Sequence, residues 1–459
     1  MRYHSPWIVQ LKRSRPIQRV SNHLRPDTVI VGGGIAGLAT AYFLLRDTPR
    51  KVLLLEADKV AHGATGHNAG QVVSYFERPL DDIGREYGKT LAVEAYRDLI
   101  ATWADLEEVF ASARLKTPLT RFVGYAGFST LRQIEGQLRT IALLAEAGIE
   151  TEKIFVAQEA EILKRMPPPY RDSCVPVSRE HILTLLETKN PQFIAAFPER
   201  KGCTNSSLLT EELAGFLLSS YPERFRLAEL ASANEINAAP ESVEIKTAEQ
   251  TVTAADAVLC TNGYKTWQLR RSPSSPPPFA AGVKGTVGYM NGYFEDGQRP
   301  AAAIRYFTCD TRTPQDPYFY LTRRRYEHGR HVHDLICVGG PEIALSPNEE
   351  YNRQANYLKD AHRKIDDFVL SSCGPDWKNP KPDFHWHGLM GYTESMIRLA
   401  GPDPEYPSIH YNLGCNGVGI LPSFAGGKRI ARLLAGEKLR PSIFDPGLQK
   451  EILGAAREG

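Results

Sequence analysis

Residues 27–45, DTVIVGGGIAGLATAYFLL, restrict this chain more than any other stretch. A short β-branched apolar run meets a glycine cluster and then a helical pattern. Residues 51–57, KVLLLEA, read as a second buried strand. Together they predict strand–helix–strand over 27–57, a parallel unit. Gly32-x-Gly34-x-x-Gly37 stands at the strand–helix junction. Gly32 permits the tight turn, Gly34 lets backbone approach a pyrophosphate, and Gly37 lets helix pack on strand. The amides that follow, from Ile35 and Ala36 on, face the phosphates with the positive end of the helix dipole. Glu56, just before Ala57, ends the second strand, where a carboxylate accepts hydrogen bonds from a ribose 2′-OH. It disfavours a 2′-phosphate, and hence NADP.

The fingerprint suits either FAD or NAD. The next stretch, HGATGHNAGQ, is nearly all small residues with His67 set inside it. Gly63, Ala64, Thr65, Asn68 and Gly70 leave room for the middle of a cofactor to pass close to backbone. An NAD domain would normally continue into another helix here.

A chain of 459 residues exceeds one simple core, so two domains are expected. Composition is that of a soluble protein, 42% hydrophobic and 24% charged, and the net charge of +2 gives no case for a polyanionic partner. No apolar run reaches the ~20 residues of a membrane span. Seven scattered cysteines without a CxxC pair read as reduced thiols, which points to the cytoplasm. Residues 1–26 are basic, but Pro6, Pro16 and Pro26 break any long amphipathic helix, so an arm is expected rather than a targeting address. Helices are expected over 86–112 and 131–147, the latter with a Thr130/Gln133 capping box and a stripe of Leu131, Ile134, Leu138, Ile141 and Ala145. Further helices are expected near 210–220 and 423–435. Residues 166–170, MPPPY, read as a loop, 251–260 as one strand pairing with 243–246, and 272–279, SPSSPPPF, as a linker. Beyond the linker, strand-like runs separated by turns predict a mainly antiparallel sheet.

Parallel α/β text thus opens and closes the chain around β-rich text. The expected architecture is α/β plus β: a Rossmann-like dinucleotide domain assembled from separated segments, with an inserted mainly antiparallel α+β substrate domain. The expected division is 1–26 arm, 27–80, 196–271 and 390–445 dinucleotide domain, 81–195 and 272–389 substrate domain, and 446–459 tail.

Four pieces resemble the FAD-dependent oxidoreductases of the D-amino-acid oxidase superfamily. They are VIVGGGIAGLATAYFL with VLLLEA, then GATGHNAG, then DAVLCTNGY, then residues 388–437 from GLMGYTES to LLAGE. The nearest likeness is to the amine-oxidising branch: sarcosine and glycine oxidases, dimethylglycine dehydrogenase, and gamma-glutamylputrescine oxidase-like proteins. The resemblance implies that Gly32, Gly34, Gly37 and Glu56 hold the ADP half of FAD and that 62–70 follow it toward the ring. It implies that the turn with Gly414, Asn416, Gly417, Gly419 and Ile420 faces the flavin ring. It further implies hydride transfer to flavin N5 from the carbon beside an amine nitrogen of an amino acid, N-methyl amino acid or polyamine derivative. The imine then hydrolyses, and oxygen or a quinone or electron-transfer partner takes the electrons.

GATGHNAG aligns with the G-S-T-W-H-A-A-G motif of the dimethylglycine dehydrogenase-like branch, whose histidine bonds covalently to the flavin. His67 takes that place, while Gly66 stands for the tryptophan. Covalent attachment, a noncovalent contact and a packed imidazole all stay open. The lysine that helps monomeric sarcosine oxidases react with oxygen has no counterpart in DLICVGG, where Ile336 stands.

Such chemistry needs a carboxylate clamp and apolar or aromatic walls. Arg305 is the leading clamp, with Arg323 and Arg398 as others. Tyr318 and Tyr320 alternate onto one strand face as walls, and Lys284 is placed to approach the flavin. His385 and His387 share a face but lack a third metal ligand, so no metal is expected. Cys415 reads as a small filler. A 2-hydroxy-acid dehydrogenase on the same fold and a flavin-binding protein with a structural role are the alternatives. Neither nucleic-acid nor membrane partners are expected.

Overall fold

The computed structural model describes residues 5–11, 13, 15–19, 25–165, 168–265, 267–271, 275–295, 299–310, 318–328, 331–347, 349–372 and 381–458. The predicted parallel unit is present: strand Thr28–Val31, helix Ile35–Asp47 and strand Val52–Leu55. Both strands are buried at every position, as a sheet covered on two faces requires. They lie inside a six-stranded sheet with the order Leu399–Pro402, Ile409–Leu413, Asp256–Leu259, Thr28–Val31, Val52–Leu55, Phe225–Ala228. Pairing is parallel except at the Leu399–Pro402 edge. The chain leaves Thr28–Val31 toward one side and returns on the other with Asp256–Leu259. That reversal opens a crevice beyond the carboxyl ends of the two strands.

Two helices cover this sheet together. Ile35–Asp47 comes from the start of the chain and Ile420–Leu434 from near its end. They pack so closely that a Cβ on Gly427 would lie 2.9 Å from the Ala39 carbonyl carbon and the Thr40 nitrogen. The second helix starts at Ile420, earlier than the expected 423–435, so its first turn overlaps the glycine-rich turn before it.

The second sheet has ten strands and is mainly antiparallel. Its long members are Lys284–Glu295, Phe319–His328, His331–Ala344, Leu119–Phe128 and Ala195–Thr204. Parallel pairs occur between Ala302–Phe307 and Leu119–Phe128, and between Ile154–Ala157 and Cys174–Val177. Gln71–Val73, directly after the small-residue stretch, pairs with Ala195–Thr204 and joins the cofactor segment to this sheet. The boundary drawn at 196 therefore falls inside a strand of the large sheet.

Several local expectations need correction. Residues 86–112 are not one helix: Leu80–Tyr87 and Lys89–Ser112 meet at Gly88, whose φ of 88° no continuing helix adopts. Residues 251–260 are two strands. Thr251–Ala254 pairs with Ser242–Lys246 in a small four-stranded sheet, and Asp256–Leu259 enters the parallel sheet. Helix Leu131–Glu146 has the expected capping box, but Leu131 and Ala145 are exposed and Leu144 is buried instead. The helix expected near 210–220 starts earlier, at Ser206, capped by Asn205. Within the expected loop 166–170, Pro168–Arg171 is a short helix, while Met166 and Pro167 lie outside the described residues. Ser272, Pro273 and Ser274 of the linker also lie outside them. The tail carries helix Pro446–Glu458.

The N-terminal arm is ordered where described. Pro6–Gln10 is helical, and Trp7 is fully buried. Its indole Nε1 donates to the Asn68 carbonyl, and Arg324 lies 4.2 Å over its ring. Arg13 and Arg15 pair with Glu229, which also accepts from the Val60 amide at 2.9 Å. These two basic residues thus form internal ion pairs.

His362, His385 and His387 cluster between helix Ala361–Ser372 and the large sheet. The His362 and His385 rings stack at 4.4 Å. Burial lowers all three below the ordinary imidazole range, His362 to about 3. The unfolded chain titrates near ~6.5 and takes up more protons than the folded one below that value, so stability falls as pH drops. Melting temperature is expected to fall from pH 7 toward pH 4 by roughly several degrees, with the slope starting near ~6.5. A flat profile over that range would show that the three imidazoles take up protons alike in the folded and unfolded states.

Gly37 supplies a second test. A Cβ there would lie 1.9 Å from the Gly32 carbonyl oxygen. Gly37→Ala is expected to destabilise the protein by about 2 kcal/mol or more, measured by denaturant unfolding, and to weaken dinucleotide binding with it.

Candidate active site

The crevice continues into one cleft enclosing about 1840 Å³, counted out to the solvent at its mouth. Its lining runs from Gly32 and Glu56 to Arg305 and Tyr318, so a cofactor and a small substrate can lie along it together. One end lies against the glycine fingerprint and the other against the large sheet. The N-termini of both sheet-covering helices face it, and neither has a side-chain cap at its N-cap glycine, Gly34 or Gly419. Open helix amides of this kind favour negative charge.

Glu56 organises the fingerprint end. Its Oε2 accepts from the Gly33 amide at 2.6 Å and its Oε1 from the Asp58 amide at 2.8 Å. Burial pushes its carboxyl up to about 7, against those two amides. Thr65 Oγ1 accepts from the Ile35 amide at 3.0 Å, so the small-residue stretch caps the first helix from outside. Asn68 clasps the same stretch: Oδ1 accepts from the Gly70 amide at 2.7 Å, and Nδ2 donates to the Thr65 carbonyl at 2.9 Å.

His67 lies on the cleft wall. Its Nδ1 is 2.9 Å from the Gly63 carbonyl oxygen. A carbonyl only accepts, so Nδ1 carries the proton and Nε2 keeps its lone pair. Burial first, then the Arg353 charge, hold the imidazole down to about 3. Burial therefore favours the neutral ring, with Nε2 as an acceptor.

The sequence-selected cofactor residues converge on this cleft with three exceptions. Gly37 lies beneath the first turn, packed on Gly32. Gly414 and Asn416 form the supporting turn, where Asn416 Oδ1 accepts from the Thr393 amide at 2.8 Å. The others, from Gly32 and Gly34 to Gly417, Gly419 and Ile420, line the wall, as does Cys415.

Arg305, Tyr318 and Tyr320 also line the cleft, at the large-sheet end. Tyr318 stacks on Phe307 at 5.5 Å, and its hydroxyl donates to Glu77 Oε1 at 3.3 Å. Arg305 is buried, its guanidinium 3.9 Å over the Tyr75 ring and one nitrogen donated to Glu199. Burial opposes its charge, and Glu199 outweighs that to hold the guanidinium above its ordinary value. Lys284 is a correction: it is exposed at the start of its strand and does not line the cleft. Arg323 is another. It pairs with Glu187 and donates to the Pro300 carbonyl at 2.9 Å, away from the cleft. Arg398 reaches the cleft wall but spends its nitrogens on Asn412 and Ser423, bracing the second helix start.

Tyr75, Glu77, Met290, Glu342 and Arg353 line the cleft without having been selected from sequence. The pairing of Gln71–Val73 with Ala195–Thr204 carries Tyr75 and Glu77 there. No local spacing signals it. Met390, on strand Phe384–Tyr392, faces the same end.

A parallel sheet with glycine fingerprint, an acid at the end of its second strand and two helix starts around one cleft defines a dinucleotide-binding oxidoreductase. Residues 27–433 match the family FAD dependent oxidoreductase, DAO, and the chain belongs to it. The chain is 35% identical over 88 residues to gamma-glutamylputrescine oxidoreductase of Escherichia coli K12, covering 19% of this chain and only 20% of that protein. It is 23% identical over 426 residues to probable oxidoreductase OrdL of Haemophilus influenzae, covering 91% of this chain and 85% of that one. Among solved structures it is similar to glycine oxidase from Bacillus cereus, with TM-score 0.63, 16% identity and coverage of 90% and 96%. It is also similar to L-proline dehydrogenase from P. horikoshii, with TM-score 0.67, 14% identity and coverage of 95% and 99%. The residues present fit FAD: the cleft lining runs from the fingerprint to the large sheet, its glycines admit backbone approach, and Glu56 at the fingerprint end would meet a ribose.

Proposed function

We propose that the chain oxidises a carboxylate-bearing amine, an amino acid or N-methyl amino acid, at the large-sheet end of the cleft. The observation that carries this reading is the buried Arg305 guanidinium on the cleft wall beside Tyr75, Tyr318 and Tyr320. Bound FAD supplies the acceptor for a hydride from the carbon beside the nitrogen, leaving an imine that water hydrolyses. The protein supplies orientation and exclusion of water. Arg305 anchors the carboxylate through the guanidinium face not taken by Glu199. Tyr318, Tyr320, Met290 and Met390 wall the reacting carbon. The names of the similar proteins, glycine oxidase and L-proline dehydrogenase, support an amino-acid substrate. The short match to gamma-glutamylputrescine oxidoreductase supports a larger amine as the second reading.

Anaerobic mixing of the FAD-loaded protein with glycine, sarcosine, D- and L-proline, putrescine and a 2-hydroxy acid such as lactate is the test. An amino acid is expected to bleach the flavin, with the amine nitrogen released or carried into an imine-derived product. Bleaching by a 2-hydroxy acid alone, with no nitrogen lost, would refute the reading. Arg305→Met is expected to raise KM for the carboxylate substrate by about 100-fold, the cost of ~2–3 kcal/mol for a charged hydrogen bond.

His67 is proposed as a noncovalent contact whose Nε2 lone pair accepts a hydrogen bond from the cofactor. After acid precipitation the flavin is expected in the supernatant. His67→Ala is expected to weaken FAD binding about fivefold to tenfold, one hydrogen bond of ~1 kcal/mol. Flavin retained in the pellet and released by His67→Ala would overturn this in favour of a covalent bond.

A further inference from the structure

Behind Arg305 lies a buried charge that the proposed reaction does not use. Lys201 is 1% exposed, in the middle of strand Ala195–Thr204, and does not line the cleft. Its Nζ lies 2.9 Å from Glu199 Oε2, while Glu199 Oε1 takes the Arg305 nitrogen. Residues 199 and 201 share one face of the strand, so both side chains point at the same place. One carboxylate is thus divided between two cations, only one of which reaches the substrate end.

The other groups facing Lys201 are few. Tyr75 lies 5.7 Å beneath its ammonium, and the Tyr125 carbonyl accepts from Nζ at 3.5 Å. Glu77, from the segment that also carries Tyr75, acts on both Lys201 and Arg305. Tyr96 faces Glu199 from helix Lys89–Ser112. With Lys201 charged, two cations stand against Glu199 and Glu77. With Lys201 neutral, one cation stands against two carboxylates, and Glu199 turns wholly to Arg305. The net negative charge left around Arg305 then opposes any further anion brought to the site.

We propose that Lys201 is a positioning residue for substrate: by drawing on Glu199 it keeps Arg305 available to a substrate carboxylate. This rests on the proposed amine oxidation, whose Arg305 contact it deepens. Burial lowers the Lys201 ammonium, against Glu199, to about 8. That places its charge change inside the range where carboxylate binding can be followed.

The probe is benzoate, a carboxylate with no oxidisable C–H beside nitrogen. Its binding to the FAD-loaded protein is read from the flavin spectrum between about pH 6 and about pH 9.5. In the natural protein its Kd is expected to rise about tenfold per pH unit above the Lys201 titration. Lys201→Met is expected to bind benzoate at least tenfold more weakly at neutral pH, with no such rise. Lys201→Arg, which cannot deprotonate, is expected to bind tightly across the range. A rise retained in Lys201→Arg overturns the proposal, and that variant decides the matter if Lys201→Met does not fold. Benzoate binding that is pH-independent in the natural protein also overturns it. Amine reduction of the flavin is followed in the same samples. If amines reduce the flavin while benzoate binding ignores Lys201, only the role of Lys201 falls. If benzoate behaves as expected and no amine reduces the flavin, the oxidation reading falls instead.

Discussion

The contact between helices Ile35–Asp47 and Ile420–Leu434 is the constraint on which the rest depends. Gly427 has no Cβ, and so the second helix can lie against the backbone of Ala39 and Thr40. Asn412 Nδ2 completes the junction by donating to Thr40 Oγ1 at 3.0 Å. Two helix starts from opposite ends of the chain are thereby aimed at one cleft. A negatively charged cofactor can then be held largely by backbone amides and dipoles, which suits an otherwise near-neutral protein. Larger residues at the contact would separate the two starts and open the core that both helices share with the sheet.

The large sheet completes what that contact begins. Among the described residues it brings no glycine-rich turn to the cleft. Instead it presents aromatic rings, methionines and one buried guanidinium to the far end of the cleft. The short pairing of Gln71–Val73 with Ala195–Thr204 stitches the two sheets together immediately after the cofactor stretch. Cofactor loop, Tyr75, Glu77 and the Glu199–Lys201 pair are therefore positioned by a single run of backbone. The N-terminal arm braces the same region from behind, through Trp7 against Asn68 and Gly70.

What could be read from sequence follows from locality. Gly32, Gly34, Gly37 and Glu56 act within one supersecondary unit, and their spacing alone specified strand, turn, helix and acid. The capping box at Thr130 and the aromatic alternation of Tyr318 and Tyr320 were legible for the same reason. Gly88 was harder, because an apolar stripe runs through it and only its positive φ breaks the helix. Residues 251–260 hid a change of sheet because Ala255 alone separates the two strands. Lys284 pointed the wrong way because strand phase, which decides inside from outside, depends on register with its neighbours. Tyr75 reaches the cleft, and Glu199 and Lys201 come to lie behind Arg305, only through long-range pairing, and charge inside a strand carries no sign of its partner.

The central claim is that the two helix starts and the fingerprint hold one flavin dinucleotide in this cleft. The most direct measurement is the stoichiometry of flavin per chain after purification in excess FAD and removal of unbound cofactor. The account predicts one FAD per chain, with the spectrum of a flavin shielded from water. A colourless protein after that treatment, or one that takes up NAD in place of FAD, would contradict it.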